Sequence, residues 1–199
     1  VNFNGKTTGF ALTGTDAPTN YSTGNKLYNC ILTNNCNKIY TFLSSGYGQL
    51  RFTGQEGFEV YNNIFTQTGA AAGFNGNNVD ARQGTSKNIK FHDNTFYKPS
   101  TNGSDWNFQV ESWDAEGGYH FYNNIFYEGC GIDAAGHYNK KGAYDYAWYI
   151  HDNQFINAAQ IAFQDEEPIG ICLEGSVDST IITRNYFKRK SSGVTMSAK

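Results

Sequence analysis

One six-residue phrase recurs along this chain and limits what it can fold into: LYNCIL at 27–32, VYNNIF at 60–65, FHDNTF at 91–96, FYNNIF at 121–126, IHDNQF at 150–155 and ITRNYF at 182–187. Taking the fourth residue of each phrase as a marker, Cys30, Asn63, Asn94, Asn124, Asn153 and Asn185 follow one another at intervals of 33, 31, 30, 29 and 32 residues. A near-constant step with variable padding is the pattern of a solenoid whose turns differ only in loop length. Apolar and polar residues alternate within each phrase. Three before the marker stand Leu27, Val60, Phe91, Phe121, Ile150 and Ile182, and five before it Phe58, Ile89, Tyr119 and Trp148. These are expected to point inward, and the residues between them outward.

A helical reading fails because Asn, Thr and Gly are dense, the alternation has period two, and no 3.6-residue stripe extends beyond a turn. A unit of about 30 residues with two or three short strands, stacked on similar neighbours, is the arithmetic of coils spaced ~4.8 Å apart. Markers then superpose. Asn side chains can hydrogen-bond along the axis while tolerating the left-handed backbone of a sharp bend. Two residues after the marker, Leu32, Phe65, Phe96, Phe126, Phe155 and Phe187 are expected to form a file inside.

The NNIF, DNTF, NNIF, DNQF and RNYF phrases resemble those of the right-handed parallel β-helix, or pectin-lyase-like, superfamily over roughly residues 25–190. The resemblance implies an all-β solenoid of about six coils. It specifies activity poorly, because that superfamily holds polysaccharide lyases, glycoside hydrolases, epimerases, phage tailspikes and non-catalytic surface proteins. The whole of 1–199 reads as one β-helix domain, and the absence of an obvious capping helix suits a segment of a longer protein.

Composition narrows the partners. Aromatics make up 16% of the 199 residues, enough apolar area for a core, while the net charge is −3 with no basic cluster beyond Lys188-Arg189-Lys190, so nucleic acid is not an expected partner. No apolar run approaches membrane-helix length, and membrane insertion is not expected. The four cysteines have no zinc spacing, and Cys30 and Cys36 form the only close pair, as a disulfide or as thiols. No nucleotide, serine-hydrolase or metalloprotease motif is present, and no cofactor is expected apart from the Ca²⁺ discussed below.

Stacking turns equal offsets into columns. One outer pair of files holds Glu59, Lys90, His120 and Tyr149 beside Tyr61, His92, Tyr122 and His151. Tyr and His rings there offer flat apolar faces and hydrogen-bonding tips to pyranoses. Lys90, His92, His120 and Tyr122 are of suitable type to neutralise a uronate and abstract the proton beside it. The plainer reading is cross-coil packing of β-formers.

A second column, found by counting backward from the next phrase, reads Arg51, Asp80, Glu111 and Glu174, with Asp145 in the fourth coil. Asp80 and Glu111 in adjacent coils would stand ~5 Å apart, a separation suited to retaining glycoside hydrolysis. Arg82, Trp113 and Asp114 flank them as sugar-binding groups, and a Ca²⁺ bridge through Asp80, Glu111 and Asp114 is a further reading. Against both stands a solvated surface whose ion pairs contribute little. The expectation is an extracellular or cell-surface module that binds, and in one version degrades, a polysaccharide. Its rival is a non-catalytic solenoid of an adhesin, fibre or tailspike, in which case the chain could oligomerise.

Overall fold

The computed structural model describes residues 10–12, 20–33, 47–66, 76–81, 86–98, 108–115, 117–136, 147–156, 169–174, 179–188 and 192–197, with the backbone alone at 47, 76, 108–109, 111, 113–115, 135–136, 169, 174 and 192–197. Its sheets are parallel throughout. The first is built from β1 (Phe10–Leu12), β5 (Tyr47–Phe52), β9 (Gly76–Asp80), β12 (Phe108–Ala115), β15 (Cys130–Gly136), β18 (Ile169–Glu174) and β21 (Ser192–Ser197), in that order. The second stacks β3 (Lys26–Tyr28), β7 (Glu59–Tyr61), β10 (Lys90–His92), β13 (Tyr119–Tyr122), β16 (Trp148–His151) and β19 (Ile181–Thr183). The third stacks β4 (Ile31–Thr33), β8 (Ile64–Thr66), β11 (Thr95–Tyr97), β14 (Ile125–Tyr127), β17 (Gln154–Ile156) and β20 (Tyr186–Lys188). A short fourth pairing joins β2 (Ser22–Thr23) to β6 (Gln55–Glu56). The chain visits the first, second and third sheets in turn and then returns to the first, which makes the fold a parallel β-solenoid.

Each phrase is the bend between the second and third sheets, and its residues alternate as the sequence requires. Val60, Phe91, Phe121 and Ile150 are fully buried, as are Phe58, Ile89 and Trp148. Behind the bend, Phe65, Phe96, Phe126, Phe155 and Phe187 form one file with successive centroids 4.9, 4.9, 4.8 and 4.9 Å apart and planes within 13° of parallel. A second inner file runs Phe91, Phe121 and Trp148 at 5.1 and 5.8 Å. Strand spacing sets this distance, so aromatic stacking and sheet hydrogen bonding reinforce one another.

The marker Asn residues form a polar ladder inside the bend. The backbone N–H and Nδ2 of Asn94 both donate to Asn124 Oδ1, at 3.1 and 3.0 Å, and those of Asn124 to Asn153 Oδ1, both at 3.0 Å. Asn63 does the same to Asn94, and Asn153 to Asn185. Each Nδ2 also donates to a carbonyl of the preceding coil: Leu27, Val60, Phe91, Phe121 and Ile150 accept from Asn63, Asn94, Asn124, Asn153 and Asn185. Buried carboxamides are tolerated because both ends are satisfied.

The left-handed backbone falls one residue earlier than expected. Asn29, Asn62, Asp93, Asn123, Asp152 and Arg184 have φ between 53° and 57°, and the markers do not. Labour is divided at the bend: the exposed residue turns the chain, and the marker ties coil to coil. Asn and Asp pay least for that conformation, which explains their density just before the markers.

Candidate functional site

On the outer surface of the second sheet the register confirms both expected files and extends them. Lys26, Glu59, Lys90, His120 and Tyr149 are successive partners in one, and Tyr28, Tyr61, His92, Tyr122 and His151 in the other. Lys26, just before the first phrase, and Tyr28, within it, stand at the matching offsets in the sequence.

The rings of the second file stack face to face, at 5.0, 5.0, 4.7 and 5.4 Å between centroids and with planes within 5° of parallel. His120 stacks on Tyr149 at 4.5 Å. This changes the chemistry expected of the surface. Interior rings spend both faces on their neighbours, so what reaches solvent is a row of edges carrying hydroxyl and imidazole groups at one-coil intervals.

Electrostatics ties the row together. Glu59 accepts from Lys26 Nζ at 2.7 Å and lies 3.3 Å from His92 Nε2, while His92 Nδ1 is 2.7 Å from Asp93 Oδ2. The Lys26 hydrogen bond, outweighing burial, holds the Glu59 carboxyl below its ordinary range. With both nitrogens turned to carboxylates, His92 offers no open lone pair to a substrate proton. Burial pushes the His120 pKa down, helped by the nearby charges of Lys90 and His151, and pushes the Tyr122 phenol up. Burial thus holds His120 toward its neutral imidazole, which is the basic form, and Tyr122 toward its neutral phenol, which is not; Lys90 is the register partner of His120. Further along, Asp152 is 2.7 Å from His151 Nδ1 and takes a two-point contact from Arg184 at 2.7 Å in both arms, which holds its carboxyl far below the usual range.

The carboxylate column on the first sheet is partly as expected. Arg51 partners Asp80, and Asp80 partners Glu111. Beyond Glu111 the sequence reading is corrected: its next partner is Asp133, then Cys172, whereas Glu174 pairs with Ala135 two positions along. Counting backward from the phrase failed in the fourth coil because padding falls after β15; Cys172 precedes Asn185 by 13 residues, an ordinary count, so Glu174, at 11, is a two-residue misalignment without padding. Asp133 precedes Asn153 by 20 residues, while Arg51, Asp80 and Glu111 precede their markers by 12, 14 and 13. Asp145 and Arg82 lie outside the described residues, as do the side chains of Glu111, Trp113, Asp114 and Glu174.

Nor is the column a solvated surface. Val79 and Ala81 belong to the core, so Asp80 between them lies on the other side of the sheet, yet Asp80 and Asp133 are both 0% exposed. Neighbouring Gln49 and Asn78 are equally buried, and Gln49 Nε2 donates to Asn78 Oδ1 at 2.6 Å and to the Thr66 carbonyl at 2.7 Å. Between Ser112 and Ala115, in the stretch that holds Trp113 and Asp114, the register of β12 against β15 shifts. Among the described residues no three His, Cys, Asp or Glu side chains converge on a metal position.

Cys30 is a free thiol that donates to the Tyr28 carbonyl at 3.2 Å; Cys36 lies outside the described residues. In comparisons with known proteins, the chain matches no protein-family model, no curated protein and no solved structure.

Proposed function

We propose that this chain is an extracellular polysaccharide-binding solenoid whose binding strip is the outer surface of the second sheet. The observation that carries the reading is the straight double file of polar edges, in which Glu59, Lys90, His120 and Tyr149 run beside Tyr61, His92, Tyr122 and His151. Hydroxyl, imidazole, ammonium and carboxylate groups recur once per coil, at about the ~4.8 Å of adjacent strands, a step comparable to one sugar of an extended glycan. Recognition then rests on hydrogen bonds from ring edges rather than on stacking of sugars against ring faces. In the degrading version of this proposal, Lys90 and His120 serve elimination, with His92 positioning them, since Asp80 is buried on the first sheet, away from a glycan lying along the strip. The pectin-lyase-like kinship belongs to the same proposal.

One observation favours the rival reading of a non-catalytic fibre or adhesin segment: the rings and ion pairs of the strip bind coil to coil, as a stiffening device would. Retention on a glycan array separates the two. The intact protein is expected to bind an acidic or neutral polysaccharide, with Tyr122→Ala and Tyr149→Ala each reducing retention several-fold while leaving the unfolding transition cooperative. A folded, unmutated protein retained by no glycan in a broad panel overturns the proposal in favour of the stiffening role.

A further inference from the structure

Charge is not balanced evenly along the strip. Lys26 is paired with Glu59, His92 lies between Glu59 and Asp93, and His151 and Arg184 both hold Asp152. In the middle the pattern breaks. Lys90 and His120 are register partners on adjacent strands, and among the described residues neither Lys90 Nζ nor a ring nitrogen of His120 has a hydrogen-bond or ion-pair partner. Lys90 is exposed and His120 half-buried, its ring resting on Tyr149 at 4.5 Å with the edge left open.

Two basic side chains directly opposite one another are an unfavourable cross-strand pair when both are charged. One step earlier in the same file an acid, Glu59, stands opposite Lys26. Glu59 is also the partner of Lys90 on its other side, but its carboxylate is turned to Lys26 and His92. The titratable groups facing His120 are Lys90 and His92 from β10 and Tyr149 and His151 from β16, with Tyr122 beside it on β13. At the neighbouring bends, Asp93 is held by His92, and Asp152 by His151 and Arg184. No described acid is thus left over for the Lys90–His120 pair.

We infer that Lys90 and His120 form an anion subsite in the middle of the strip, which takes a carboxylate or sulfate group of an acidic polysaccharide and holds it more tightly in acid. The inference rests on the glycan-binding reading above and not on its degrading version. Adjacent strands set the two side chains ~4.8 Å apart, so that two oxygens of one anion can each meet a donor. Lys90 brings a permanent charge, and His120 adds a second when protonated. Burial and the charges of Lys90 and His151 press the empty subsite's imidazole toward its neutral form, whereas a bound anion offsets those charges and favours the imidazolium. Affinity for the anion therefore rises as pH falls through the imidazole range.

Retention of the intact protein on an array of uronate-containing, sulfated and neutral polysaccharides, at about pH 5 and about pH 8, tests this. Acidic glycans should be held several-fold more strongly at the lower pH, and added salt should weaken them. Lys90→Gln should reduce retention of acidic glycans roughly fivefold at both pH values, the scale of one exposed ion pair, and leave neutral glycans unchanged. His120→Gln should remove the gain in acid, and His120→Lys, which fixes the second charge, should keep retention high at both pH values; cooperative unfolding of each variant confirms that it is folded. Retention of neutral glycans alone overturns this inference and leaves the glycan-binding reading standing. Acidic glycans held equally by the unmutated protein, Lys90→Gln and His120→Gln overturn it as well, by placing the anion elsewhere. Retention of no glycan overturns both.

Discussion

Replacing Asn124 with Ala tests the ladder at its most enclosed point. Asn124 is 0% exposed, and its side chain makes four hydrogen bonds: two accepted from Asn94 at 3.1 and 3.0 Å, one donated to the Phe91 carbonyl at 2.9 Å and one to Asn153 Oδ1 at 3.0 Å. Truncation leaves the Asn94 N–H without its acceptor inside the bend, a cost of about 1–3 kcal/mol, and removes three further bonds worth about 0.5–1.5 kcal/mol each. Because Asn94 Nδ2 retains Val60 and Asn153 Oδ1 retains the Asn124 N–H, these losses do not add fully. A total of about 3–5 kcal/mol is expected, lowering Tm by roughly 10 °C for a chain of this size. Asn185→Ala is the internal control. It removes contacts of the same kind, accepted from Asn153 and donated to Ile150, but only half-buried, where water can substitute. Its cost should be about 1–2 kcal/mol. Urea unfolding measures both, and hydrogen exchange should show the Asn124→Ala loss concentrated in the coils that flank it, as expected of a quasi-one-dimensional array. If Asn124→Ala costs no more than Asn185→Ala, the ladder is packing geometry rather than a source of stability, and the reasoning fails.

Two further outcomes follow from the inner file and the outer strip. Phe126→Ala should cost about 3–5 kcal/mol by leaving a cavity between Phe96 and Phe155, whereas Phe187→Ala, at the exposed end, should cost less than half as much; equal costs in chemical denaturation would show that the two ends are alike. Because folding lowers the His120 pKa below 6.5, the unfolded chain binds the extra proton first as pH falls. Stability should therefore be full above pH 6.5 and decline as pH drops from there through the folded value. His120→Gln should flatten that part of the pH–stability profile, and an unchanged slope would remove His120 as its source.

The columns show how far a single sequence carries and where it stops. On the second and third sheets, every inward and outward offset read from the phrases was correct, because marker and strands lie within a few residues of one another and leave no room for padding. On the first sheet, the count back from the marker crosses loops of unequal length. Arg51, Asp80 and Glu111 were aligned correctly, and the padding after β15 hid Asp133 behind Asp145; Glu174 displaced Cys172 by two residues, although the spacing there is ordinary. The ring files were legible as outward residues, but not that their faces would be occupied. Alternation tells which side of a strand a residue takes, and only the ~4.8 Å spacing of neighbouring strands turns two outward rings into a stacked pair.

Sequence alone determined the period, the strand pattern, the inner Phe file and the Asn ladder, because these are local choices repeated at a fixed step and parallel pairing copies each one onto its neighbours. Only the tertiary structure decided which acids share a column, that Asp80 and Asp133 are buried on the side away from the core, and that one end of the stack is covered while the other exposes Phe187. Those properties depend on what lies over a residue from distant parts of the chain, and no periodicity encodes that.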